Sequence, residues 1–180
     1  FAHAMFEAER CLRCQDPVCI DGCPVRVPIA EFMHAIAAGD MPKAAKLLRE
    51  ANPLAAICGR VCPQESQCEM QCHMTKRFGP VAIGHLERYV SDWEMAQPAS
   101  EEAAEPWREE KIAIVGSGPS GLGCAGELAR MGYPVTVYEA LHAPGGVLRY
   151  GIPEFRLPNG ILDWESVSRT RLGVEVINNV

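Results

Sequence analysis

The chain has 180 residues, with 17 Lys and Arg against 23 Asp and Glu, a formal net charge of -6. That balance argues against a nucleic-acid partner, which would require a basic face. Hydrophobic residues at 48% with 16 Gly and 14 Pro fit a turn-rich globular protein, and no run approaches the roughly 18 apolar residues of a membrane span.

The sequence opens Phe1-Ala2-His3-Ala4, without Met and without a secretory pattern. The natural chain is therefore expected to begin earlier and to work in the cytoplasm. Next comes a cysteine run, Cys11-x2-Cys14-x4-Cys19-x3-Cys23-Pro24. A helix follows it, entered through Pro28 and ended by Gly39, with Ile29, Phe32, Met33 and Ile36 on one face. Asp40 caps a second helix, Pro42 suits its first turn, Ala44, Leu47, Leu48 and Ala51 form its buried stripe, and Asn52-Pro53 stops it. After a second cysteine run, Cys58-x3-Cys62-Pro63-x4-Cys68-x3-Cys72, a third helix is expected from about Pro80 to Glu94, burying Ile83, Leu86, Val90 and Trp93. Three short helices over residues 1–95 make a thin core, one that a metal centre would cross-link.

Residues 96–110 hold one basic and five acidic side chains, with Pro98 and Pro106, and read as an acidic linker carrying most of the net charge. From 111 onwards the pattern alternates. Lys111 to Val115 is a strand, Pro119 to Met131 a helix, Val135 to Tyr138 a second strand and Val174 to Ile177 a third. This is the opening of a doubly wound parallel sheet, with fewer strands than a complete domain of that type.

Eight of the nine cysteines lie between Cys11 and Cys72, and Cys124 stands alone in the later helix, where a small buried residue is expected. Such density suits disulfides in a secreted protein, but the alternating second half is typical of enzymes whose thiols stay reduced. Structural zinc usually takes two tight C-x2-C pairs, and only Cys11 and Cys14 have that spacing. Iron–sulfur clusters take thiolates from short turning loops, and the bacterial ferredoxin run ends in the same Cys-x3-Cys-Pro, its fourth cysteine serving the other cluster. By that geometry Cys11, Cys14 and Cys19 hold one cluster and Cys23, turned away at Pro24, a second. The second run supplies the remaining ligands, so two 4Fe-4S clusters are expected, with zinc and disulfides as rivals. Spacing alone makes Cys58 a ligand and gives Glu87 to solvent. His73 and His85 read as exposed residues near the second run.

Gly116-Ser117-Gly118-Pro119-Ser120-Gly121 follows a strand and opens a helix, with Glu139 ending the next strand. Gly116 permits the tight turn, Gly118 admits a pyrophosphate to the helix N-terminus, Gly121 lets helix and strand pack closely, and Glu139 suits a ribose. A dinucleotide is expected, and the acidic residue disfavours a 2'-phosphate there, leaving FAD or NAD.

Cys11-Leu12-Arg13-Cys14 through Cys23-Pro24-Val25, Asn52-Pro53-Leu54, Ile57-Cys58-Gly59-Arg60-Val61-Cys62-Pro63 and Pro80-Val81-Ala82-Ile83-Gly84-His85-Leu86-Glu87-Arg88-Tyr89 together resemble the N-terminal cluster domain of the glutamate synthase small subunit. The large subunit of NADH-dependent ferredoxin:NADP oxidoreductase and dihydropyrimidine dehydrogenase share that domain. The resemblance covers about Glu7 to Leu157. It implies one cluster on Cys11, Cys14, Cys19 and Cys72 and another on Cys23, Cys62, Cys68 and Glu87, with Cys58 left as a buried thiol nearby. It also implies FAD: Pro144-Gly145-Gly146-Val147-Leu148-Arg149 resembles the family's flavin contact, and Arg156 of Phe155-Arg156-Leu157-Pro158 the arginine that reaches the cofactor.

In that family a second fingerprint for NAD(P)H follows, and residues 122–180 hold none, so the nicotinamide site is expected outside this segment. The expected fold is an α-helical iron–sulfur domain at 1–95 and, at 111–180, the start of a Rossmann-type FAD-binding domain. The expected function is electron transfer between FAD and two clusters, to or from other redox subunits of a multi-subunit NAD(P)H oxidoreductase, without acid, base or nucleophile in these residues. The alternative is a cluster-stabilised docking scaffold that does no chemistry.

Overall fold

The computed structural model describes residues 1–98 and 107–180, excepting the side chains of 167–171. The stretch from 99 to 106, most of the expected acidic linker, lies outside the described residues. The chain divides into two compact units, Phe1–Gln97 and Pro98–Val180.

The first unit is helical. It runs α1 (Ala2–Glu9), α2 (Val18–Asp21), α3 (Ile29–Ala37), α4 (Met41–Ala51), α5 (Ala55–Val61), a 3-10 turn at Gln64–Ser66, α6 (Cys68–Gln71), α7 (Thr75–Phe78) and α8 (Ile83–Met95). The apolar stripe read from the sequence of α3 is buried as expected: Phe32 and Ile36 are fully enclosed, with Ile29 and Met33 beside them. In α4 the Asp40 carboxylate accepts from Lys43 N at 3.1 Å, satisfying an N–H that the helix itself cannot. These two helices pack with α1 and α8 around one core that reaches Cys11, Cys19, Cys23, Cys68 and Cys72.

Helix α8 begins three residues later than the sequence indicates, because its approach is pinned from outside. Ala82 N donates to Glu7 Oε1 at 2.9 Å, and Arg10 donates to the carbonyls of Phe78, Gly79 and Pro80 while pairing with Glu7. Helix α5 lies close against α8: a Cβ on Gly59 would stand 2.7 Å from Arg88 N. Buried Arg60 adds an ion pair to Asp92 and a hydrogen bond to Ala56 O at 2.9 Å.

The second unit is α/β: β1 (Ile112–Val115), α9 (Pro119–Arg130), β2 (Val135–Glu139), α10 (Val147–Tyr150), α11 (Asn159–Arg171) and β3 (Glu175–Asn178). The strands are parallel in the order β1-β2-β3, in register at Ile112↔Val135 and Val137↔Val176. α9 lies on one face, its Ala125 and Ala129 buried with Val135 and Val137. Trp107 and Arg108, placed by the sequence reading within the linker, belong to this unit instead. Both backbone N–H groups donate to Gly132 O, and the Arg108 guanidinium sits over the Tyr133 ring at 4.6 Å.

Candidate functional site: two thiol groups and a glycine loop

The cysteines stand in loops and short helices because each run is broken by turns that a long helix would not permit. Arg13 and Arg26, at φ 50° and 52°, bend the chain after Cys11 and Cys23. Cys11, Cys14, Cys19 and Cys72 line one apolar pocket floored by Met33, Val81 and Ile83. Burial, then the neighbouring Cys72 and Cys11 thiols, push Cys19 up to about 11, and burial likewise raises Cys11.

A second group forms on the opposite pattern of sequence. Burial and then Cys23, Glu69, Glu87 and Cys62 push Cys68 up to about 12, and burial, Glu87 and Cys23 raise Cys62. Glu87 stands 8% exposed on the inward side of α8, where burial pushes its carboxyl up to about 7 against the opposing hydrogen bond from Asn52 Nδ2 at 3.1 Å. Cys62 Sγ donates to Gln67 Oε1 at 3.1 Å. Spacing alone puts Glu87 in solvent, and the structure corrects that.

The cysteine runs are thus exchanged at their ends. Cys72 stands with the first run and Cys23 with the second, the division that the family resemblance implies. Buried groups that repel one another when ionised fit a bound cationic centre, which would favour their charged, coordinating forms. Among the described residues no three such side chains close on a single-ion position; the four thiols of the first set ring a cavity instead.

In the second unit two of the three fingerprint glycines have a visible steric reason. Gly116, at φ 93°, donates to Tyr138 O at 2.8 Å and turns the chain off β1. A Cβ on Gly121 would stand 2.0 Å from Gly116 O. Gly118 is the N-cap of α9, with Pro119 and Ser120 exposed in its first turn. A Cβ on Gly146 would come within 2.9 Å of Gly118 Cα, so the double-glycine loop lies directly on the fingerprint loop.

Ser117 joins those loops. Its side chain is fully buried; its hydroxyl donates to Glu139 and accepts from Gly145 N at 3.0 Å, while Ser117 N donates to Glu139 Oε2 at 2.8 Å. Leu141 N donates to Glu139 Oε1 at 2.9 Å. These bonds, the Ser117 hydroxyl first, hold the Glu139 carboxyl below the usual carboxylate range. The Ser117 hydroxyl therefore organises the site from beneath it. Leu148 is buried, while Val147, Arg156 and Phe155 are exposed, Phe155 at 92%.

Residues 2–99, just over half of the chain, match the family described as dihydropyrimidine dehydrogenase domain II, 4Fe-4S cluster. The chain belongs to this family. Residues 114–165 match the NAD(P)-binding Rossmann-like domain. The chain is 41% identical over 175 residues to the NAD-dependent dihydropyrimidine dehydrogenase subunit PreT of Escherichia coli, covering 96% of this chain and 42% of that protein. It is 38% identical over 173 residues to the glutamate synthase [NADPH] small chain of Halomonas elongata, covering 96% of this chain and 37% of the relative. The chain thus spans about two fifths of the length of these curated relatives. It joins a helical iron–sulfur domain of the dihydropyrimidine dehydrogenase type to the start of a Rossmann-like nucleotide domain. Among the described residues no helix is long and apolar enough to cross a membrane.

Two expectations within this family domain and its neighbour are corrected. Cys58 is half-buried rather than enclosed, the buried positions of α5 being Ala55, Ala56, Ile57 and Arg60. Cys124 is exposed, because it stands on the side of α9 away from Ala125 and Ala129. His73 and His85 are exposed as expected. The sequence marks Asn52 as a helix stop and as part of a family motif but not as a partner of Glu87; it is 4% exposed and bonded to Glu87, and its polarity at the end of a buried stripe is the signal for that contact.

Proposed function

We propose that the chain is an electron-transfer segment of an NAD(P)H-dependent iron–sulfur flavoprotein oxidoreductase, passing electrons between FAD and two 4Fe-4S clusters and exchanging them with a partner redox subunit. What carries the reading is the sorting of side chains into Cys11, Cys14, Cys19 and Cys72 on one hand and Cys23, Cys62, Cys68 and Glu87 on the other. Each set has four donors, the number a 4Fe-4S cluster takes. When bound, such clusters accept and release single electrons, at potentials set by ligands, charge and exposure. The chain's own residues hold the thiolates in place, shield the first set with Met33, Val81 and Ile83, and draw each set from both cysteine runs.

The proposed boundaries are residues 1–95 for the cluster domain, an acidic linker from 96 that ends before Trp107, and a nucleotide domain from Trp107 onwards. In the last, Gly116, Gly118 and Gly121 with Pro119 and Ser120 receive the pyrophosphate at the N-terminus of α9. Glu139 keeps lone pairs for the ribose, and Gly145, Gly146, Val147, Leu148 and Arg156 form the flavin side. The packing of Gly146 on Gly118 supports one continuous dinucleotide site. A cytoplasmic setting suits thiols that must stay reduced for cluster assembly. The NAD(P) site of this reading lies outside residues 1–180.

The match to an NAD(P)-binding domain favours a second reading, in which the same glycine loop holds NAD(P) itself. Flavin analysis of the full-length enzyme, with anaerobic reduction by NADH and NADPH, separates them. The proposal expects about one FAD per chain beyond any other flavin site and loss of flavin on Gly146→Val. Tight NAD binding and hydride uptake by residues 1–180 alone would overturn it.

A further inference from the structure

The second ligand set contains a puzzle of chemical preference. Thiolate is the softer donor and the commoner ligand of cluster iron. Cys58 and Glu87 contact the same Asn52 side chain, so a cysteine stands close to the position from which a carboxylate is drawn.

Asn52 is fixed on every side. Its backbone N donates to Leu48 O at 2.8 Å, closing α4, and its carbonyl accepts from Ala55 N at 3.2 Å, opening α5. Its side-chain Oδ1 accepts from Leu54 N at 3.1 Å. The two ends of the amide then face different groups: Nδ2 donates to Glu87 Oε1 at 3.1 Å, and Oδ1 accepts from Cys58 Sγ at 3.8 Å. An amide of this kind cannot turn over without losing the Leu54 bond and setting its acceptor against a carboxylate.

We propose that Asn52 is a positioning residue that selects the fourth ligand of the second cluster, presenting the Glu87 carboxylate and holding Cys58 on the other end of its amide. This rests on the reading of Glu87 as a ligand. The bond to Nδ2 takes Oε1 and leaves Oε2 for iron, while Cys58 Sγ is held on Oδ1. Removal of the amide releases both constraints at once. The Cys58 thiol would then pass its proton to the displaced Glu87 carboxylate and its thiolate would replace that oxygen as ligand, changing the donor set from mixed oxygen and sulfur to sulfur alone.

The test uses the anaerobically purified full-length protein, with iron content and the EPR of the dithionite-reduced clusters as readouts. Asn52→Ala should keep about eight iron per chain while shifting the signal of one cluster, the one that Glu87→Ala also perturbs. Asn52→Asp keeps an acceptor for Leu54 N but has no donor for Glu87, and should shift the same signal; it carries the test if Asn52→Ala does not fold. Adding Cys58→Ser to either variant should remove the new signal, whereas Cys58→Ser alone should leave both clusters as in the parent. Unshifted signals in a folded Asn52 variant, or a new signal that survives Cys58→Ser, would overturn the proposal. If Glu87→Ala itself leaves both signals unchanged, the ligand reading fails first, a different result from Asn52 variants that are silent while Glu87→Ala is not.

Discussion

Gly121→Ala adds one carbon at the tightest point of the nucleotide unit, where it would stand 2.0 Å from Gly116 O and 3.1 Å from Gly116 C. Both are backbone atoms of the fingerprint turn, so no rotamer change relieves the contact, and α9 must retreat from β1 by about the length of a bond to restore van der Waals distance. Overpacking of this kind costs about 1–3 kcal/mol, and a backbone obstacle puts it at the upper end. Replacing a glycine within the helix, here in its first turn, by alanine returns up to about 1 kcal/mol through reduced backbone entropy, so the net loss is about 2 kcal/mol. Gly123→Ala is the matched control. It lies two residues on in the same helix with nothing within 4 Å of a Cβ, and should stabilise by about 1 kcal/mol. Urea unfolding of the full-length protein, followed alongside release of bound dinucleotide, should separate the two variants by about 3 kcal/mol. Equal stability, or a more stable Gly121→Ala, would refute the close approach of helix and strand.

Cys19→Ser and Cys68→Ser should each lower the iron content by about four per chain while sparing the other cluster's EPR signal, because they belong to different sets. In cluster-free protein, Glu87 titrates at about 7 rather than 4.5 because the fold buries it. The folded-state value is the higher, so stability is complete below about 4.5 and falls as pH rises through 7, by about 3 kcal/mol. Unfolding measured from pH 5 to 8 should show this slope and its disappearance in Glu87→Gln. Glu139 has the opposite sign: the Ser117 and Leu141 bonds lower its value, so its contribution is present above the usual carboxylate range and fades as pH falls through the folded value. Ser117→Ala should cost about 1–3 kcal/mol by removing the hydroxyl that bonds both Glu139 and Gly145 N, with matching loss of dinucleotide in equilibrium dialysis.

Where one local rule decides an element, the sequence is readable. Asp40 and Pro42 mark the start of α4 because cap chemistry is local, and the stripe Ile29, Phe32, Met33 and Ile36 marks α3 because its core face is continuous. The fingerprint is legible because Gly116 takes a left-handed turn and Gly121 faces the Gly116 carbonyl, while Gly118 leaves open space before α9. Helix α1 is not marked, since Ala8 is its sole buried residue and its place depends on Arg10 gripping carbonyls some seventy residues away. α5 hides inside a cysteine motif whose Gly59 would lower any helix propensity, yet that glycine is what lets α5 touch α8. The Cys-x3-Cys-Pro turn marks Cys23 for the second set, but spacing could not place Cys72 with the first run, because that exchange is made by the tertiary fold. Glu87 lies between Ile83 and Val90, close to the inward face of α8, but a carboxylate at such a position gives no sign from spacing alone that the fold will bury it.

The central claim is that these side chains hold two clusters. It is tested most directly by iron and acid-labile sulfide analysis, with zinc, on anaerobically purified full-length protein. About eight iron and eight sulfide per chain should be found beyond any cluster borne elsewhere, falling to about four on Cys72→Ser and likewise on Cys23→Ser. About four iron in the parent protein, or stoichiometric zinc with no sulfide, would contradict it.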